Sequence, residues 1–413
     1  MKKNIFISFL VVSCLVFSTA GAAAQEREST LIFGNLVVTP GLALQEVYDD
    51  NIYLGSGTNS TTESEESDWI THIIPNIMLD YSLHERGGIK LGYLGNFAYY
   101  KYDSNNDWKN HKGIFGLDYK APSGLIVGID NLYTRAQDPY SSDNEYKLGV
   151  PQAKRWHNDL KTRIGYELQN QFRMLAYYNY YKQKYDDEID FSQNYDRNEV
   201  GAGIEKKILP LTWGFLRYFH GETDYYTHRE GLTNSNDADF TYNSVKMGLA
   251  WDPGAKIEGE LNFGYTWKKY DNDADVSGNQ YDDSDTWIAS SILSYKPAVT
   301  TTFGLAITKA MRDAGADTTE YFDDTGISIN VKQGILSELS LLVGAAYSTH
   351  GYKDSIANSG RKDHNYKVRL GIEYFINDWL MAGVDYTYRE KDSNYVDSDY
   401  KDNMLQVTLG LTY

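Results

Sequence analysis

From Leu36 onward the chain repeats one unit: a segment of alternating apolar and polar side chains, recurring at roughly 20-residue spacing and joined by connections that are alternately short and long. The short ones fall at 84–88, 120–124, 169–171, 207–210, 252–254, 296–299, 334–337 and 377–378. The long ones fall at 49–68, 103–108, 137–154, 186–195, 225–239, 271–283, 313–318, 354–363 and 391–401. Eight short and nine long connections predict about 18 strands, or 16 if boundaries shift, and an even count puts both ends of the barrel on the short-turn side. A propeller would repeat in blades of four strands, and a sandwich would not keep the alternation of loop lengths. The expected fold class is therefore all-β, an antiparallel up-and-down barrel.

The two faces of the segments say what surrounds such a barrel. Beyond the amino terminus no uninterrupted apolar run reaches about 18 residues, which excludes helical membrane spans. The alternation itself supplies one apolar face per strand: Ile73, Ile77, Leu79 and Tyr81; Leu91, Tyr93, Phe97 and Tyr99; Leu125, Val127, Ile129 and Tyr133. Later segments continue it with Leu339, Leu341, Val343, Ala345 and Tyr347, and with Val368, Leu370, Ile372 and Tyr374. The 36 tyrosines suit aromatic girdles at two membrane interfaces, so the barrel is expected to be transmembrane, with short periplasmic turns and long extracellular loops. The segment 211–220 is ambiguous, because Trp213 and Phe215 share a face with Arg217. An arginine facing lipid at the midplane costs roughly 2–4 kcal/mol, so Arg217 is expected near an interface or past a register shift.

The opposite faces carry charge. Pore-lining candidates are Lys90, Asn96, Tyr100, Asp118, Asp130, Lys161, Arg163, Glu167, Arg173, Tyr177, Glu199, Glu258, Glu260, Arg369 and Glu373, with Asp80, Glu205 and Asp385 beside them. A dry core could not tolerate so many charges, whereas about 18 strands enclose an aqueous lumen. Tyr100, Tyr102, Tyr177 and Tyr181 are candidates for stacking on sugars within it.

The termini agree with this placement. Lys2 and Lys3, the apolar run Ile5 to Phe17 and the small residues Ala22, Ala23 and Ala24 make 1–24 a secretory signal peptide, leaving 25–413 as the barrel. Its removal takes away Cys14, the sole cysteine, so no disulfide is expected. At the other end Leu405, Val407, Leu409, Leu411 and Tyr413 share a face. This ending, Leu409, Leu411 and Tyr413 above all, resembles the signal read by the barrel-assembly machinery of Gram-negative bacteria. As the closing strand it should pair with the first strand near Leu36 to Tyr48, leaving no sheet edge in lipid.

Other chemistries are excluded or weakly signalled. A net charge of -18 without basic clusters excludes nucleic acid as a partner. The eight histidines are scattered, with no Gly-x-Ser-x-Gly element and no metal spacing, so neither an enzyme nor a cofactor is expected. Asp271, Asn272, Asp273, Ala274 and Asp275 begin like a calcium loop, but Val276 and Asp282 stand where glycine and glutamate belong, and no metal is assigned. Glu63, Glu65, Glu66 and Asp68 are expected to form a solvated face. Asp49, Asp50 and Asn51 are expected to make a turn rather than hold a cation, since Asp and Asn bond their own backbone there. The expected partners are outer-membrane lipids and lipopolysaccharide.

Residues 38–53, VTPGLALQEVYDDNIY, resemble the opening of the β-barrel porin family of outer-membrane proteins associated with exopolysaccharide export. The most distinctive element is Tyr48, Asp49, Asp50, Asn51 and Ile52. The likeness continues through Pro75 to Tyr81, Leu91 to Tyr93, Asn110 to Gly113 and Leu125 to Arg135, about the first third of the barrel. The resemblance implies a porin-like conduit for secreted polysaccharide or other solutes, with the polysaccharide or its periplasmic export components as partners. The alternative expectation is a closed barrel whose acidic loops bind a surface ligand.

Overall fold

The computed structural model describes residues 31–57, 65–138, 154–169, 171–186, 194–225, 239–252, 254, 256–274, 281–313, 321–352, 360–395 and 398–412. The expected signal peptide, Glu63, Asp275, Val276 and Tyr413 lie outside them. A three-residue strand, β1 (Leu31–Phe33), precedes the barrel. The barrel opens with β2 (Leu36–Asp49), β3 (Asp68–Ser82), β4 (Gly87–Tyr100), β5 (Trp108–Lys120), β6 (Leu125–Ala136) and β7 (Arg155–Leu168). It continues with β8 (Phe172–Tyr185), β9 (Tyr195–Leu209), β10 (Thr212–Tyr225), β11 (Phe240–Trp251), β12 (Ile257–Tyr270) and β13 (Ser284–Ala298). Last come β14 (Thr301–Asp313), β15 (Tyr321–Gly334), β16 (Leu339–Tyr352), β17 (Lys362–Phe375), β18 (Leu380–Ser393) and β19 (Tyr400–Thr412).

Strands β2 to β19 form one closed antiparallel barrel of 18 strands, as the turn count predicts. Connections of two to five residues alternate with connections of six to eighteen. Closure is made by β19 on β2, from Met404 opposite Asp49 to Thr412 opposite Gly41. Below that point the foot of β2 takes a different partner, because β1 folds back and pairs Leu31 to Phe33 with Val38 to Leu36. Each unpaired backbone group in hydrocarbon costs several kcal/mol, so this short arm completes the seam that β19 leaves unfinished.

The outer face is apolar and exposed, with Leu91, Ile164, Met247, Phe263, Leu370 and Val407 among its members. Towards the long-loop end, six outward tyrosines repeat one contact. Tyr93 meets His111 at 2.9 Å, Tyr178 donates to Asn198 at 3.0 Å and Tyr218 donates to Asn243 at 2.6 Å. Tyr265 donates to Asp285, Tyr347 meets His364 at 2.9 Å, and Tyr386 donates to Asn403 at 2.7 Å. In every case the partner lies two residues nearer the long-loop end than the residue directly across, which is Gly113, Val200, Val245, Trp287, Tyr366 or Leu405 respectively. The hydroxyl therefore reaches diagonally up the sheet while its ring stays on the apolar band, the arrangement an amphipathic ring adopts at a membrane interface.

Strand β10 resolves the ambiguity at Arg217, which does lie past a register shift against β9, between Thr212 and Trp213. Its exposed residues are Leu216, Tyr218, His220 and Glu222, while Trp213, Phe215 and Phe219 are buried. Arg217 thus shares the inner face with three aromatic rings. Their apolar character, not the position of the strand, made this face look lipid-facing in the sequence.

Candidate functional site

At the long-loop end the Tyr48 to Ile52 element turns the chain inward. Asn51 donates its backbone N–H to Asp49 Oδ1 at 2.9 Å, and its side chain donates to the Gly55 carbonyl at 2.9 Å and accepts from Gly55 N–H at 2.8 Å. That is the expected turn. Its other bonds cross the barrel seam: Asn51 Nδ2 donates to the Lys401 carbonyl at 2.8 Å, and Asp50 accepts the backbone and side-chain N–H groups of Asn403 at 2.7 and 2.8 Å. Asp49, Asp50 and Asp402 form a group of three carboxylates here. Arg389 answers their charge, bonding Asp402 and lying 3.8 Å from Asp49.

The turn drives Ile52 and Tyr53 into an apolar cluster with Val47, Ile70, Ala98, Tyr100 and Trp108 inside the barrel mouth. Tyr53 donates to Asp103 at 2.8 Å and accepts from Asn106 at 2.8 Å, tying the first long loop to the second. Burial pushes its hydroxyl up to about 12, so it stays a proton donor at any physiological pH. Asp68, expected in a solvated run, is 1% exposed instead. It accepts backbone N–H groups from Trp69, Tyr102 and Asp103 at 2.7 to 3.2 Å, which offsets the cost of burying its charge. Across the mouth, Tyr281 of the loop after β12 stacks on Tyr270 at 4.9 Å and joins Tyr225 and Phe240 in a second cluster.

Below the mouth the inner wall is laced by ion pairs. Glu167 accepts from Lys120 at 2.7 Å and from Arg173 at 2.8 Å; Arg173 also reaches Glu205 at 3.6 Å and Asp252 at 3.5 Å. Arg217 continues the chain, donating to Glu205 at 2.8 Å and to Glu260 at 2.9 Å. Elsewhere Arg163 bonds Asp118, Lys90 faces Asp80 at 3.8 Å, Lys161 donates to Asp159 at 2.8 Å and Lys296 to Glu258 at 3.2 Å. Across the lumen Arg369 donates to Asp385 at 2.6 Å and Lys332 to Glu373 at 2.7 Å. Asn96 bonds His72 at 2.9 Å, Glu199 accepts from Asn179 at 2.6 Å and Tyr242 at 2.7 Å, and buried Asp130 lies across from Lys161. Charges paired along a wall hold side chains against it and keep the central space polar.

Two of the expected stacking tyrosines do not line the passage. Tyr100 is packed in the mouth cluster at 6% exposure, and Tyr102 lies beyond the end of β4 at 68% exposure. Tyr177 and Tyr181 do face inward, Tyr181 against Tyr195 at 5.4 Å and Tyr177 against Phe219 at 5.4 Å.

Strands β8 to β12 carry a feature that sequence reasoning missed. Cations sit on the rings of the inner wall: Arg173 is 3.5 Å from the Trp213 centroid, Arg217 3.8 Å from Phe215, Lys246 4.7 Å from Phe219 and Lys268 3.8 Å from Phe240. Inward glycines make the room. A Cβ on Gly203 would stand 2.8 Å from Arg217 Cγ, one on Gly248 2.7 Å from Phe215 Cζ, and one on Gly201 against the Phe219 ring. The available signal was the Gly201-x-Gly203 spacing, two gaps on one face of a strand facing long side chains.

A family profile described as Putative beta-barrel porin 2 matches residues 31–413. No curated protein sequence matches. Among solved structures the chain is similar to the outer membrane protein OpdK from Pseudomonas aeruginosa, with 12% identity, TM-score 0.42, and coverage of 91% of this chain and 99% of that one. It is similar to OccAB4 from Acinetobacter baumannii at 12% identity and TM-score 0.43, covering 94% and 100% of the two chains. It is also similar to a BenF-like porin from Pseudomonas fluorescens Pf-5 at 10% identity and TM-score 0.46, covering 91% and 99%. The chain belongs to the beta-barrel porin 2 family, and its place is the bacterial outer membrane.

Proposed function

We propose that this porin is a conduit for a secreted polysaccharide. One observation carries the reading: an 18-strand barrel whose inner wall pairs its charges laterally and packs the Phe215 and Phe219 rings against glycines. Such a wall leaves a tall, wet passage with hydroxyl, amide and ring surfaces along it, which suits a chain of sugars better than a single small solute. Hydroxyls of a passing glycan can exchange hydrogen bonds with Asn179, Asn262, Tyr181 and Glu199 at little net cost, so the chain is held weakly and released. Deleting the protein from its host and measuring glycan in the medium and the periplasm tests this. Loss from the medium with periplasmic accumulation is expected; unchanged secretion sinks the reading.

A further inference from the structure

We infer that the wall around Phe219 is a binding station for the carboxylate of an acidic sugar unit, formed by Tyr177, Arg217 and Lys246. The inference rests on the glycan-conduit reading and narrows it to carboxylate-bearing glycans. Three strands bring these groups together. Tyr177 on β8 packs its ring 5.4 Å from Phe219, Arg217 on β10 lies 5.5 Å from the Tyr177 ring, and Lys246 on β11 sits 4.7 Å over Phe219. Arg217 and Lys246 are direct cross-strand partners, both facing inward. Like charges directly opposite each other are destabilising, and of the two only Arg217 has carboxylate partners among the described residues, Glu205 and Glu260.

The hydrogen-bond inventory gives the sign of the ligand. Local carboxylates are already matched: Glu205 by Arg217 and Arg173, and Glu260 by Arg217 at 2.9 Å and by Asn262 at 3.2 Å. What is left over is a set of donors. The Tyr177 hydroxyl and Arg217 Nε are buried and make no hydrogen bond among the described residues. Lys246 forms no ion pair among them, its contact being with the Phe219 ring. A buried donor without an acceptor costs about 1–3 kcal/mol, and a ligand carboxylate brings charged acceptor oxygens to this set of donors. The rings of Tyr177 and Phe219 add an apolar surface of the kind that the C–H face of a sugar covers. Access needs a rotamer change in Lys246, a long side chain that forms no ion pair among the described residues.

The test uses the full-length porin in planar bilayers, with galacturonate hexamer, maltohexaose and sodium acetate as probes. The galacturonate hexamer is expected to block the current at about a tenfold lower concentration than the neutral maltohexaose of equal length, as expected for one charge-assisted hydrogen bond. Tyr177→Phe, which removes only the hydroxyl, and Lys246→Gln should each bring the two blocking concentrations together. Equal block by both hexamers in the unmodified protein, or an unchanged ratio in both variants, overturns the station and leaves the conduit standing. Acetate at the same carboxylate concentration blocking as strongly as the hexamer overturns the assignment to a glycan. Conduction of KCl that neither hexamer affects overturns the conduit itself and the station with it.

Discussion

Asp50 and Asn403 stand 353 positions apart in sequence and share three hydrogen bonds across the line where the barrel closes. Asp50 accepts from the Asn403 backbone at 2.7 Å and from its side chain at 2.8 Å, and returns its own N–H to the Asn403 carbonyl at 3.2 Å. Asn403 Oδ1 meanwhile accepts from Tyr386, so the seam contact is joined to the tyrosine girdle. The most distinctive element at the start of the chain thus has a structural role: it fastens the first strand to the last.

Replacing Asp50 with Ala is expected to lower barrel stability by about 1–2 kcal/mol, the scale of hydrogen bonds to a charged acceptor that is partly exposed. Asn403→Ala should cost a similar amount, and the double variant less than the two together. The temperature at which the folded band disappears in SDS electrophoresis follows this. Full additivity of the two changes contradicts the contact.

Arg217 sets the local charge of the lumen. Arg217→Met should leave Glu205 and Glu260 short of a partner, destabilising the barrel by roughly 1–3 kcal/mol and moving the reversal potential in a KCl gradient toward cation selectivity. Glu260→Gln should move it the other way. Equal reversal potentials in all three proteins remove Arg217 from the conduction path.

Gly203 is expected to resist any larger residue. Gly203→Leu places carbon where Arg217 Cγ already approaches a Cβ position to 2.8 Å, so the guanidinium must leave the wall and enter the passage. A cost of about 1–3 kcal/mol and a smaller single-channel conductance should follow. Unchanged conductance in a folded variant would mean that the slot does not keep the lumen open.

Tyr413, outside the described residues, comes after β19 in the sequence, and β19 exposes Leu405, Val407 and Leu409 on the outer face. Tyr413→Asp is expected to impair assembly and reduce the amount of porin recovered from outer membranes, whereas Leu36→Ala should have little effect on recovery. Normal outer-membrane levels of the Asp variant would separate this terminus from assembly.

Strand number and facing were legible because each strand obeys a period of two and each turn alternates in length. The reading failed where a local pattern has a distant cause. Arg217 looked misplaced because its neighbours Trp213 and Phe215 are apolar, yet they are roofed by Arg173 and by Arg217 itself. Asp68 looked solvated because its donors, Tyr102 and Asp103, come from the next loop. The Asp49 to Asn51 turn was visible from residue types alone, but its partners Lys401 and Asn403 lie at the opposite end of the chain. The donors left over around Phe219 could not be read from spacing, since they depend on which side chains find partners across three strands.

The claim on which the rest depends is that the barrel is open. Purified full-length porin inserted into planar bilayers in KCl should give discrete, ohmic conductance steps, and maltohexaose added to one side should interrupt them. Insertion verified by protease protection, with no conductance at any voltage, would contradict an open conduit.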